Sequence, residues 1–318
     1  MDPITGSFRS SDGKNDISYY IWEPEGRPSA VVQLSHGMCE YALRYAPYAA
    51  HLASRGIVFA GNDHLGHGAG ARESGNLGYI ADEYGPDLMV SDLNTMTGIL
   101  KERYPGVPVI LLGHSMGSFL CRLYLSSYAE ELAGAIIMGT GGPDAPVGLG
   151  CFLASAVSLF RGRRHPSPFL SKIAFSGYTK RCAKEEGGFA WLSVNRENVK
   201  RYEEDPLCGF VFTAGGFYDL FSMIGAVSTQ EWAAGIPTDL PILVVSGAED
   251  PVGGYGKGVM KVVSMLSGAG ARRLTARLFP NDRHEILNEN DREKVYAYID
   301  GWIDTEILGE AAGDDGLT

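Results

Sequence analysis

The chain has 318 residues, 45% of them apolar and 20% charged, with a formal net charge of −11. This is ordinary globular composition, and the length suits one large domain or a core with an insertion. The acidic balance excludes an electrostatic grip on nucleic-acid phosphates, disfavours docking on anionic lipid by charge alone, and no apolar run reaches the ~18 residues of a membrane span.

The first predicted elements are a strand over 18–23 (SYYIWE), a turn over 24–28 and a continuous apolar strand over 30–35 (AVVQLS). That strand runs into His36-Gly37. A helix follows over 46–55, then a buried strand over 56–60 (GIVFA) that ends at Gly61-Asn62-Asp63. The segment 88–104 is a long helix with Leu93, Met96, Ile99 and Leu100 on its apolar stripe. The next apolar run, 107–112 (VPVILL), leads into Gly113-His114-Ser115-Met116-Gly117 and an amphipathic helix. A short strand occupies 133–138. The alternation then stops. It resumes with a strand at 241–245, a helix at 258–266, a strand at 273–279 and a last helix at 292–307. Short apolar strands alternating with helices give an α/β fold, a mostly parallel sheet with helices on both faces. Residues 1–142 and 238–318 make its core. Residues 143–237, mainly helical in period, are an inserted cap over the carboxyl ends of the strands, where ligands of open α/β sheets bind. The acidic tail after Leu308 is expected to fray.

Strand, G-x-S-x-G and helix form a nucleophile elbow, with Ser115 as nucleophile. With 42 glycines in the chain the pentapeptide alone is weak, and its context carries the weight. Gly113 and Gly117 allow backbone to pack on backbone at the turn. The base must follow the acid in the chain, and of the seven histidines only His284, in a loop after the last strand, satisfies that order. The acid is expected after the strand at 241–245. Asp250, followed by Pro251, is favoured there, with Glu249 as competitor. Two amide donors must face the developing oxyanion. Met116 supplies one and Met38 the other, aimed by the tight turn at His36-Gly37. His36 then acts as a loop-fixing hydrogen bonder. Asp63-x-x-x-His67 has metal-pair spacing, but it reads as a loop buttressing the oxyanion turn. No metal and no cofactor are expected. The five cysteines (Cys39, Cys121, Cys151, Cys182, Cys208) lack zinc or disulfide spacing, and the first twenty residues lack a signal-peptide core. Reduced thiols in a cytoplasm are the expectation.

Five segments together resemble the monoacylglycerol lipase and lysophospholipase branch of the α/β-hydrolases. They are HGMCE (36–40) with Arg44-Tyr45, NDHLGHG (62–68), GHSMGS (113–118), SGAEDPV (246–252) and RHEILNE (283–289). The resemblance implies a Ser115, Asp250, His284 triad with Met38 and Met116 as oxyanion donors, and Arg44 and Glu289 in support. It implies a serine carboxylic ester hydrolase acting on acyl esters. A thioesterase or amide hydrolase on the same triad, and a silent binding protein on the same fold, are the alternatives. Ser118 departs from the commoner glycine. Peptidase-like relatives carry a Gly-Gly-Pro-Gly oxyanion loop, which HGMCE lacks. The aromatic-rich cap is expected to line an apolar channel and to touch a membrane transiently.

Overall fold

The structure, a computed structural model, describes residues 1–310. The acidic tail named above lies, from residue 311 on, outside the described residues. Eight strands form one sheet: β1 (Ile4–Arg9), β2 (Asp16–Trp22), β3 (Ala30–Ser35), β4 (Ile57–Asn62), β5 (Val109–His114), β6 (Gly134–Met138), β7 (Ile242–Gly247) and β8 (Leu274–Phe279). Their spatial order is β1-β2-β4-β3-β5-β6-β7-β8. The first two strands run antiparallel to their neighbours and the rest are parallel. β1 was not among the predicted strands. It is an edge strand with mostly exposed side chains, so its sequence carries no apolar alternation.

The central strands are apolar at nearly every position because both faces are covered. Side chains alternate between two cores. In β5, Val109 and Leu111 pack to one side, and Ile110 and Leu112 to the other. The first side is covered by α3 (Gly85–Arg103), α4 (Met116–Tyr128) and α10 (Lys257–Gly268), through residues such as Leu93, Met96, Tyr124 and Val262. The second is covered by α1 (Ala46–Ser54) and α11 (Arg292–Ile303), through Tyr48, Leu52, Val295 and Ile299. Gln33 is a buried polar residue in β3. It is satisfied by the Leu93 carbonyl (2.8 Å) and the Thr97 hydroxyl (2.7 Å) of α3. A short helix, α2 (Gly68–Glu73), follows the loop after β4.

Between β6 and β7 lie α5 (Val147–Arg161), α6 (Pro168–Ala174), α7 (Arg196–Glu204), α8 (Ala214–Ala226) and α9 (Gln230–Ala234). α8 packs on α3, α4 and α5. One buried cation ties both ends of this insert to α4. Arg122 is fully buried and donates to the Thr140 hydroxyl (3.3 Å) and the Gly141 carbonyl (3.2 Å) where the insert departs. It also donates to the Val227 carbonyl where the insert returns. Its guanidinium lies 4.3 Å from the Trp232 ring centroid. Burial pulls its pKa down to about 9, and carbonyls and an aromatic face take the place of a carboxylate partner. No helix among the described residues is long and apolar enough to cross a membrane.

Candidate active site

Parallel pairing brings the carboxyl ends of β3, β5 and β6 side by side, with Ser35 opposite Gly113 and His114 opposite Met138. The chain then turns sharply. Ser115 sits at φ 54° and ψ −120°, a conformation that disfavours any side chain. Three bonds hold it there. Ser115 N–H donates to the Met138 carbonyl (3.0 Å), and Ser118 donates both its N–H (2.9 Å) and its hydroxyl (2.6 Å) to the Ser115 carbonyl. Ser118, where glycine is commoner, therefore braces the turn. The flanking glycines are required by contact. A Cβ on Gly113 would lie 2.3 Å from the Gly117 carbonyl oxygen, and one on Gly117 would lie 1.9 Å from that of Ser35.

His284 follows β8 and Asp250 follows β7, as the chain order predicts. His284 Nδ1–H donates to Asp250 Oδ2 at 2.9 Å, and both residues are buried. The acceptor-only carboxylate sets the tautomer and leaves Nε2 as a lone-pair acceptor. Asp250 is itself oriented by the Val252 N–H (2.8 Å) and the Ser246 hydroxyl (3.1 Å). Glu249 faces outward instead and pairs with Arg181 at 3.1 Å. The Nε2 atom of His284 is buried and has no partner among the described residues. Ser115 and His284 line one cavity. No hydrogen bond joins the Ser115 hydroxyl to the His284 ring.

The loop after β3 closes the other side. His36 Nδ1–H donates to the Gly37 carbonyl (2.8 Å), and His36 Nε2 accepts the His64 N–H (3.0 Å). His36 thus ties the turn after β3 to the loop after β4. Asp63 Oδ1 accepts the Ala42 N–H (2.9 Å). Burial lowers the pKa of His36 and His64, and takes His67 down to about 3, so all three are neutral. Met38 lines the cavity, and Met116 opens α4, where the first N–H groups have no partner within the helix. Among the described residues no backbone carbonyl outside helices and strands accepts the N–H of Met38 or Met116.

A buried charge network joins these loops. Glu40 Oε1 accepts the Gly37 N–H (2.6 Å), the Tyr45 hydroxyl (2.9 Å) and His114 Nδ1 (3.2 Å). Its other oxygen faces Arg44, which forks onto both oxygens of Glu285 at 3.0 and 2.9 Å. His114 Nε2 donates to the His284 carbonyl at 3.2 Å. Burial acts to raise the Glu40 pKa, but Arg44 and His114 overcome it and hold the carboxylate below its usual range. His114, opposed by burial, is raised by Glu40. Arg44 was noted from sequence as a support; its partner Glu285 carried no signal beyond its place beside His284. Glu289 also supports, accepting the Arg283 N–H (2.9 Å) and the Ser193 hydroxyl (2.6 Å).

The cavity has a volume of about 960 Å³. Its walls include Phe119, Leu153, Phe175, Leu220, Phe221 and Ile224. Among the described residues no cluster of three or more His, Cys, Asp or Glu side chains is arranged to hold a metal ion.

The family model for serine aminopeptidase, S33, matches residues 26–291. The chain belongs to this family of α/β-hydrolases, in its monoacylglycerol lipase branch. A monoglyceride lipase homolog of monkeypox virus is 35% identical over 91% of this chain and 95% of its own. A monoacylglycerol lipase of Mycolicibacterium smegmatis is 28% identical over 90% of this chain and 92% of its own. Among solved structures, a thermostable carboxyl esterase from Bacillus coagulans, in complex with glycerol, is similar at 30% identity and a TM-score of 0.85. It covers 95% of this chain and 99% of its own.

In this α/β-hydrolase, Glu40 is the charge on which the turn after β3, the elbow and, through Arg44, the loop after β8 all lean. Glu40→Gln is expected to lower unfolding free energy by about 3 kcal/mol, because Arg44 loses one of its two buried partners. A carboxylate held below its usual pKa stabilises the fold above its unfolded value and loses that contribution as pH falls through the folded one. Urea midpoints from about pH 7 to about pH 3 are therefore expected to fall more steeply in wild type than in the variant. Equal stability and equal slopes would contradict this role.

Proposed function

We propose that this enzyme hydrolyses esters of one acyl chain, monoacylglycerols or lysophospholipids, by acyl transfer through Ser115, His284 and Asp250. The observation that carries the reading is the His284 ring, bonded to Asp250 at Nδ1 and left unpartnered at Nε2 in the cavity that Ser115 lines. Family membership and the relatives' names support ester hydrolysis, and the chain is an ester-hydrolysing enzyme on those grounds. In the proposed cycle Nε2 accepts the Ser115 proton as Oγ attacks the ester carbonyl carbon. The tetrahedral oxyanion takes hydrogen bonds from Met38 and Met116 N–H. The carbon–oxygen bond to the alcohol then breaks, and the alkoxide leaves with the proton from His284. Water, giving its proton to the same nitrogen, releases the acid and restores Ser115. Asp250 holds the tautomer and stabilises the imidazolium.

An apolar cavity of this size suits an acyl chain. Aminopeptidase chemistry is disfavoured. Of the acidic residues that line the cavity, Glu40 and Glu285 are paired with Arg44 and Asp144 with Lys261, so none is free for a substrate ammonium.

The insert is read as a cap whose outer face meets lipid. Phe152, Leu159 and Phe160 of α5 are 69, 80 and 82% exposed, and Leu149, Phe169 and Ile173 are exposed nearby. Between residues 145 and 184 the sequence carries Arg161, Arg163, Arg164, Lys172, Lys180, Arg181 and Lys184, and no Asp or Glu. Arg163 and Arg181 pair with Asp219 and Glu249, the other five make no ion pair among the described residues, and each cation near an anionic surface adds about 1 kcal/mol of attraction.

Ser115→Ala is expected to abolish labelling by a fluorophosphonate probe, and His284→Ala to lower kcat by roughly 10³-fold or more on 1-monoacylglycerol. A wild-type protein that never labels would end the enzyme reading. Turnover of an acyl thioester with none of p-nitrophenyl or glyceryl esters would move the reading to a thioesterase.

Co-sedimentation is expected with phosphatidylglycerol vesicles more than with phosphatidylcholine vesicles, weakened by salt and by Phe152→Ser with Phe160→Ser. Equal recovery with and without vesicles would refute the lipid-facing surface.

A further inference from the structure

The insert does more than roof the cavity. Its segment 190–195 is strapped along the loop that carries His284. Glu285 N–H donates to the Leu192 carbonyl (2.7 Å) and the Arg283 guanidinium to the Ala190 carbonyl (2.7 Å). The Ser193 hydroxyl donates to Glu289 (2.6 Å), and Asn195 Nδ2 to the Asn288 carbonyl (2.9 Å). This strap lays Trp191 against the base. The indole centroid is 5.1 Å from that of the His284 ring, with the planes at 45°. On the insert side Trp191 is packed by Phe175, stacked at 5.8 Å, and by Tyr178, edge-on at 5.0 Å. The His114 ring, from the elbow, packs against the same imidazole at 4.7 Å.

The base has to present Nε2 first to the serine hydroxyl and then to the leaving oxygen. One hydrogen bond, from Nδ1 to Asp250, fixes a point on the ring but not its rotation about that bond. Packed rings fix the rotation. His114 belongs to the sheet core, whereas Trp191 comes from the insert. We propose that Trp191 is a positioning residue for His284, so that the base is fully competent only when the insert is seated on its loop. The proposal rests on the Ser115–His284 reading above.

The test compares Trp191→Ala and Trp191→Phe on p-nitrophenyl butyrate and p-nitrophenyl dodecanoate, together with the rate of fluorophosphonate labelling. Trp191→Ala is expected to lower kcat about 100-fold on both esters, with KM within about threefold, because a misplaced base slows every acyl chain alike. Labelling slows in parallel, and Trp191→Phe restores most of the rate. Glu289→Gln, which loosens the strap from outside the cavity, is expected to reproduce the chain-length-independent loss in part. It carries the test if Trp191→Ala fails to fold. A loss confined to the dodecanoate ester would make Trp191 an acyl contact and overturn the proposal, as would an unchanged kcat in Trp191→Ala or in Glu289→Gln. Absence of turnover and labelling in wild type would instead sink the hydrolase reading on which it rests.

Discussion

The close approach of α4 to the end of β3 is the constraint from which the site follows. Gly117 passes so near the Ser35 and His36 carbonyls that only a hydrogen fits on its Cα. That contact forces the elbow to turn tightly, and the turn sets Ser115 in its strained backbone conformation. The same contact sets the start of α4 against the loop that bears Met38. Ser115 is thereby set beside Gly37 at the carboxyl edge of the sheet by backbone packing, before any side chain of the proposed triad is considered. Parallel pairing of β5 through β8 carries the remaining loops, with Asp250 and His284, to the same edge.

Such a turn stores strain that its surroundings have to offset. Part of the offset is hydrogen bonding at the Ser115 carbonyl. Part is the buried Glu40–Arg44–Glu285 network, which links the turn after β3, His114 and the loop after β8 into one body. Buried ion pairs are poor sources of net stability but strong sources of uniqueness once their partners are all in place. Here each carboxylate oxygen of Glu40 and Glu285 has a partner, and the two acids share one guanidinium. The insert joins through the same logic. Asn198 of α7 donates to Glu285 at 2.7 Å, and Arg122 clamps both ends of the insert to the elbow helix. A roof bonded to the base loop in this way is an integral wall of the site along 190–198. Its most exposed apolar part is α5 and α6.

Much of this was legible in the sequence, for identifiable reasons. Apolar runs mark the inner strands because both sheet faces are covered. The elbow is legible because its glycines stand at fixed offsets from Ser115, and His284 because chain order leaves no other candidate base. Asp250 and Glu249 are neighbours, and the proline after Asp250 is what favours it in the sequence; in the structure Asp250 bonds His284 while Glu249 pairs with Arg181. The edge strand β1 was missed because exposed residues carry no period. Trp191, Glu285 and Arg122 carried no signal in the sequence for a different reason. Their partners lie far away in the chain or across the insert, and no spacing rule records such a pairing. The aromatic richness of the insert was visible, but not which ring would lie on the imidazole.

The proposed reaction requires convergence: the Ser115 hydroxyl, the His284 Nε2 and the amides of Met38 and Met116 have to meet at one reacting carbon. A crystal structure of the protein treated with a long-chain alkyl phosphonofluoridate tests this most directly. The account predicts phosphorus bonded to Ser115 Oγ, its free oxygen about 3 Å from both amide nitrogens, and the alkyl chain along the apolar cavity. Phosphorus on another residue, or a free oxygen turned away from Met38 and Met116, would contradict it.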